Sequence, residues 1–210
     1  MTELVLARHG QTAWNVEEVF RGRTDVDLDE TGLRQAELLA DYLSHRKIEA
    51  VYSSPLQRAF KTARAIAARH HLEVTVIQGL NDLSFGEWEG LPVAEVRRRY
   101  GRLFTDWQER PHLVAIPGGG SLADVRTRVE RLVREVTARH SGSVALVSHR
   151  VVHKVLILAL LGLDNSHFWQ VKLDTAAMTV FASTRGGWVL NEHNNTCYLE
   201  PLKEPAKRDF

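Results

Sequence analysis

Cysteine is nearly missing from this 210-residue chain. Cys197 stands alone, which excludes an internal disulfide framework and any zinc site built on cysteines, and it suits a reducing compartment. No apolar run approaches the roughly 18 residues that a membrane span needs. The strand pattern begins by Glu3 with no charged leader and apolar segment before it, so a soluble cytoplasmic protein is expected. A strong charge of one sign is missing too. Lys and Arg total 27 against 26 Asp and Glu, and the net +1 gives no whole-chain signal for nucleic acid or membrane. Low-complexity tracts are absent, as are repeats at the periods of about 20 to 50 residues that mark solenoids. The length suits one α/β unit, so residues 1–210 are expected to form a single domain, with 200–210 a charged mobile tail.

What is present centres on Glu3 to Asn15. Leu4, Val5, Leu6 and Ala7 form an apolar run too short for a helix, and suited to a strand buried on both faces. Arg8 and His9 follow at once, at the carboxyl end of that strand, where open α/β sheets hold their ligands. Gly10 lets the backbone turn away. A guanidinium grips two phosphate oxygens and biases a neighbouring imidazole towards its neutral form, so His9 is a candidate nucleophile towards phosphorus.

The partners it needs lie further along. Arg21, Gly22 and Arg23 fall in a polar loop over Val16 to Asp29, where Arg21 is placed to contact substrate. Helical spacing of Leu33, Ala36, Leu39, Ala40 and Leu43 predicts a packing helix to about Ser44. Ile48 to Tyr52 reads as a strand, and Ser54-Pro55 as the cap and first residue of the next helix. Arg58 in that first turn opposes the positive end of the helix dipole, a conflict that a bound phosphate would remove. The loop Gly79 to Gly90 offers Asp82, Glu87 and Glu89 as proton donors to a leaving oxygen, with Phe85 and Trp88 among them to exclude water.

The run Arg97, Arg98, Arg99 points different ways around a helix over 92–100 and reads as a solvated face. A second short helix is expected over 103–108, and a glycine-rich loop leads to a cap at Ser121 with Asp124. The helix that follows buries Val125, Val129, Leu132, Val133 and Val136, with Glu130 and Arg134 spaced as an ion pair. Ser143 to Val147 repeats the opening arrangement, a buried strand running into Ser148, His149 and Arg150 and a helix beyond. His149 would then face His9 across a phosphoryl group and donate to its oxygens. Strand patterns close the chain at Met178 to Ala182 and Gly187 to Leu190.

R-H-G-Q-T-x-x-N at 8 to 15, S-S-P-L-Q-R-A-x-x-T-A at 53 to 63, F-G-E-W-E-G at 85 to 90 and S-H at 148 to 149 occur in one order. The chain resembles the histidine phosphatase superfamily, in the branch of phosphoglycerate mutases and cofactor-independent phosphatases. The resemblance implies a three-layer α/β/α sandwich around a mostly parallel sheet. It makes His9 the residue phosphorylated in turnover, with Arg8, Arg58 and His149 completing the phosphate pocket, and adds Asn15 and Gly22. It implies no metal and no cofactor. The family generally has Glu where this chain has Asp82, one methylene shorter, which leaves Glu87 and Glu89 as rivals for the acid. Many members continue with glycine where Arg150 stands, so Arg150 brings an extra side chain to the substrate side. The F-G-E-W-E-G stretch resembles the phosphatases, and G-G-G-S-L-A-D-V with N-N-T-C resembles phosphoserine phosphatases. A small phosphorylated metabolite, phosphoserine or a phosphorylated sugar or glycerate, is the expected partner, with a second copy of the chain in a homodimer as the only protein partner considered. Mutase chemistry and a non-catalytic phosphate-binding module are the alternatives.

Overall fold

The computed structural model describes residues 1–202. In chain order the elements are β1 (Glu3–Arg8), α1 (Ala13–Val16), α2 (Glu30–Leu43), β2 (Ile48–Ser53), α3 (Gln57–Arg69), β3 (Val74–Val76), α4 (Val93–Glu109), α5 (Leu122–Arg139), β4 (Ser143–Ser148), α6 (Arg150–Leu160), β5 (Met178–Thr184) and β6 (Gly187–Asn195). Six strands form one sheet in the order β3-β2-β4-β1-β5-β6. The β3–β2, β2–β4 and β4–β1 pairings are parallel, while β5 pairs antiparallel with both neighbours and so runs against the rest.

Alternation along the two central strands sorts the core into two layers. Leu4, Leu6, Val144 and Leu146 point into a cluster with α4, α5 and α6, while Val5, Ala7, Ala145 and Val147 meet α2 and α3 on the other face. The result is the expected α/β/α sandwich. β1 and β4 pair residue for residue from Glu3 with Ser143 to Arg8 with Ser148, so the histidines that follow both strands emerge side by side.

Several local expectations are corrected. The helix after β2 begins at Gln57, with Leu56 at its N-cap position, and Ser54 does not cap it. Ser54 is still tied to the sheet through its N–H to the Val147 carbonyl, which delays the helix by two residues. Leu33 is 47% exposed, because α2 approaches the sheet through Gly32 and Ala36, and this turns its buried face away from Leu33. Glu130 pairs with Arg126 at 2.7 Å and not with Arg134; Arg126 is pinned on that side by its bond to the Leu163 carbonyl. The two helices expected over 92–108 form one run bent at Gly101, whose backbone is not helical. Glu200, Pro201 and Leu202, expected in the tail, end a 3-10 turn that packs Leu202 against the core, and the rest of that expected tail lies outside the described residues.

The tightest contact beneath the site joins α2 to the loop after His9. A Cβ on Gly32 would stand 2.0 Å from the Gln11 carbonyl oxygen. In an open helix Gly→Ala adds about 1 kcal/mol of stability; here Gly32→Ala should instead cost about 1 to 3 kcal/mol by overpacking. Urea denaturation measures the sign, and a stabilised Gly32→Ala would show that the loop yields freely.

Candidate active site

Three parallel strands end at one level, and each delivers a polar side chain. Ser54 follows β2, His149 follows β4 and His9 follows β1, with the Ser54 N–H bonded to the Val147 carbonyl and the His9 N–H to the Ser148 carbonyl. The His9 and His149 ring centroids lie 5.2 Å apart, at 58°.

His9 is 1% exposed, and its Nδ1 lies 2.7 Å from the Gly10 carbonyl oxygen. A carbonyl only accepts, so Nδ1 carries the proton and Nε2 keeps a free lone pair. Burial, followed by the charges of Arg58, Arg8 and Arg21, holds the imidazole well below its usual 6.5. It is therefore neutral near pH 7, the form a nucleophile needs.

The guanidinium groups around it are fixed by main-chain oxygens. Arg8 Nη1 donates to Leu173 (2.7 Å), Arg21 Nη1 to Trp14 (2.9 Å), and Arg58 to Gly22 (2.7 Å) and Thr24 (2.9 Å). The Nε atoms of all three are buried without a hydrogen-bond partner, as is His149 Nδ1. Burial lowers each arginine, Arg21 to about 10. Arg150, the first residue of α6, is lowered the same way and makes no hydrogen bond or ion pair among the described residues. Buried donors left unpaired call for an anion.

Asp82 is 6% exposed and meets both Arg58 Nη2 at 3.4 Å and His149 Nδ1 at 3.6 Å. Burial raises its carboxyl above the usual value and outweighs the opposing charges of Arg58 and Arg21. It therefore holds a proton more readily than an exposed aspartate. The rivals are occupied elsewhere. Glu89 accepts from the N–H groups of Arg23 (3.0 Å) and Phe85 (2.9 Å) and from the Thr24 hydroxyl (3.2 Å), clipping two loops together. Glu87 is exposed and bonds the Tyr100 hydroxyl.

A cavity of about 390 Å³ opens on His9 and is lined by Asn15, Arg21, Gly22, Asp82 and Arg150 among others. Asn15 uses Oδ1 to accept from the N–H and hydroxyl of Thr12, and its Nδ2 is left to donate. Gly22 has φ +52°, and a Cβ there would stand 2.2 Å from Glu89 Oε1, so it is needed to shape the turn whose carbonyl holds Arg58. His149 caps α6 in position, with Nε2 2.7 Å from Ser54 Oγ. Phe85 lines the cavity as expected beside a carboxyl, whereas Trp88 is fully buried in the core.

Three supporting residues have no site role in the sequence reading, although Ser54 and Thr62 fall within its motif at 53 to 63. Ser54 orients His149; Thr62 accepts from the Gly10 N–H at 3.2 Å; and Arg128, lowered to about 10 by burial, donates to the Gly79 carbonyl beneath the Asp82 loop. Ser54 could have been found by asking of β2 what was asked of β1 and β4, namely which side chain its end presents. Among the described residues no group of three or more His, Cys, Asp or Glu is arranged to hold a metal ion.

A family model described as the histidine phosphatase superfamily (branch 1) matches residues 4–196. Phosphoserine phosphatase 1 of Hydrogenobacter thermophilus is 40% identical over 200 residues, 95% of each chain. Among solved structures, a mycobacterial glucosyl-3-phosphoglycerate phosphatase complexed with VO3 superposes with a TM-score of 0.86 at 31% identity, covering 92% of this chain and 99% of that one. A phosphoserine phosphatase of Entamoeba histolytica in complex with 3-phosphoglyceric acid does so with 0.84 at 30% identity, covering 95% and 100%.

The buried histidines set the stability of the protein against acid. His9 and His149 lie well below 6.5 and His153, bonded to the Ala7 carbonyl, is lowered to about 4. All three take up a proton on unfolding, so stability present at pH 7 is lost as pH falls below the unfolded value, by up to about 1.4 kcal/mol per pH unit for each. Asp82 works in the opposite sense, one group against three. Urea unfolding at pH 7.0 and 5.5 should therefore show a marked fall at the lower pH, and a flat profile would mean that the imidazoles are already protonated in the fold.

Proposed function

The chain belongs to the histidine phosphatase superfamily, and from that we propose that it hydrolyses a small phosphomonoester in two steps, through phosphate carried on His9 and without a metal ion. One observation carries the proposal: a buried imidazole whose Nδ1–H is tied to a carbonyl, and whose neutral Nε2 is free among uncompensated guanidinium groups.

In the first step the phosphoryl group sits against Arg8 and Arg58, and the unpaired Nδ1 of His149 donates to its oxygens. Nε2 of His9 attacks phosphorus in line, the P–O bond to the alcohol breaks, and Asp82 passes its proton to the leaving oxygen. In the second step the Asp82 carboxylate takes a proton from water as that water attacks. The P–N bond breaks, His9 returns to its neutral form and inorganic phosphate leaves. The arginines and the start of α6 supply the charge stabilisation that Mg²⁺ gives in kinases. Asn15, Arg21, Gly22 and Arg150 are assigned to the rest of the substrate. The named relatives make phosphoserine and a phosphorylated sugar or glycerate the first compounds to assay.

Among the described residues no helix is long and apolar enough to cross a membrane. We assign the enzyme to the cytoplasm, with the single exposed Cys197 in support, and at most a second copy of itself as protein partner.

Quenching during turnover should trap acid-labile, base-stable phosphate on His9. His9→Ala should lack both label and activity, and EDTA should leave the wild-type rate within about twofold. Wild-type activity in His9→Ala, or a strict need for added Mg²⁺, would refute the mechanism. Given 3-phosphoglycerate with its bisphosphate primer, faster formation of 2-phosphoglycerate than of inorganic phosphate would make the chain a mutase.

Asp82→Asn separates the acid from its rivals. A positioned acid contributes about 10² to 10⁴ in rate. The variant should lose about that factor in kcat on an alkyl phosphate, whose alkoxide leaves poorly without a proton, and much less on p-nitrophenyl phosphate. An unchanged alkyl phosphate rate in Asp82→Asn, with loss in Glu87→Gln or Glu89→Gln, would move the role.

A further inference from the structure

The lining of the cavity is chemically mixed, and the reaction uses only part of it. His9, Arg21, Asp82 and Arg150 share it with an aromatic and apolar set, Phe20, Phe85, Val93, Phe104, Trp107 and Trp169.

That set is fixed by its own packing. Phe20 and Phe85 lie 4.9 Å apart between ring centroids, and Trp107 meets Trp169 edge-on at 5.9 Å and 85°. Trp169 spends its only polar atom inside the protein, since Nε1 donates to the Trp107 carbonyl at 2.8 Å. On its protein side the Lys154 ammonium lies 4.7 Å from the Trp169 centroid and 4.8 Å from that of Phe168, a cation–π contact that holds the ring in place. Trp169 nevertheless remains 39% exposed. Phe85, Phe104 and Trp107 are buried in the core behind, so Trp169 and the half-buried Phe20 carry most of the aromatic surface that the cavity meets.

Size agrees with this. About 390 Å³ falls within the range of pockets, about 300 to 1,000 Å³, that enclose ligands well beyond a three-carbon alcohol. Beyond the residues already given roles, Glu18 and Gln108 are the lining residues with polar side chains. A compact zwitterion would leave Trp169 facing water, whereas a ring-sized hydrocarbon body would cover it and could stack edge-to-face on it.

We infer that the substrate's alcohol carries a ring-sized apolar body beyond the ester oxygen, laid against Phe20, Phe104, Trp107 and Trp169 while the phosphoryl group sits at His9. This rests on the phosphatase assignment for the orientation of the substrate, and it narrows the substrate class to aryl-alkyl phosphates over phosphoserine-sized ones.

The test compares 2-phenylethyl phosphate with ethyl phosphate, O-phosphoserine and glucose 6-phosphate, all esters of primary alcohols, so that leaving-group chemistry is closely matched. 2-Phenylethyl phosphate should have at least tenfold the kcat/KM of each. Trp169→Ala should reduce its advantage over ethyl phosphate about tenfold, and Trp169→Phe should restore most of it. Binding of the non-hydrolysable 2-phenylethylphosphonate and ethylphosphonate, followed by calorimetry, should show the same tenfold preference without chemistry. Equal affinities for the two phosphonates overturn the inference, as does a higher kcat/KM for phosphoserine or glucose 6-phosphate. If no ester is turned over, the phosphatase assignment fails while the phosphonate ratio still decides this one.

Discussion

Positive charge is concentrated around His9, and the protein holds it without neutralising it. Arg8, Arg21 and Arg58 are oriented by the carbonyl oxygens of Leu173, Trp14, Gly22 and Thr24. A carbonyl orients a guanidinium less strongly than a carboxylate would, yet leaves its charge for a ligand. Asp82 is the single buried carboxylate among them, and it is shared. Nearly every loop over the site exists to deliver one of these oxygens. The turn at Gly22 is left-handed so that its carbonyl can face Arg58, and Glu89 accepts from Arg23, Thr24, Ser84 and Phe85 to keep that turn in place.

The same positive field sorts the titrating groups. His9 and His149 are pushed to the neutral side by burial and then by Arg58. Asp82 is buried too, and burial moves an acid the other way, towards holding its proton. One environment therefore favours a neutral imidazole and a protonated carboxyl side by side. The geometry beneath is equally economical, because the parallel register of β1 on β4 sets the histidines side by side before any side chain is placed.

What was legible in the sequence follows from this division. His9 and His149 could be found because a buried apolar strand ending in a histidine is a local pattern, and the sandwich because its strands and helices have clear periods. Arg58 stood out through a conflict of charge at a helix start, and it is fully buried against Gly22, Thr24 and Asp82. The failures were of another kind. Ser54 looked like a helix cap because Ser-Pro is a local signal, but the sheet claims its N–H and His149 its hydroxyl. Phe104 and Trp107 on α4 have the spacing of core residues, and no periodicity can tell a ring that fills a core from one that lines a cavity. Glu89 differs from Asp82 only in which loop it reaches, and that is settled by tertiary contact.

The bend at Gly101 splits α4 into two arms, and the second arm carries Phe104, Trp107 and Gln108 to the cavity. None of these residues belongs to the sheet, and none holds Arg8, Arg21 or Arg58. The strand ends and this part of the cavity lining therefore come from separate parts of the chain. Recombining the second arm of α4 and the 3-10 turn of Asn165–Gln170 with those of a distant relative would exchange the lining of the cavity while leaving the strand ends untouched. For anyone wishing to redirect this scaffold to a new compound, those two segments define a compact library, and the hinge at Gly101 is where a graft could be joined.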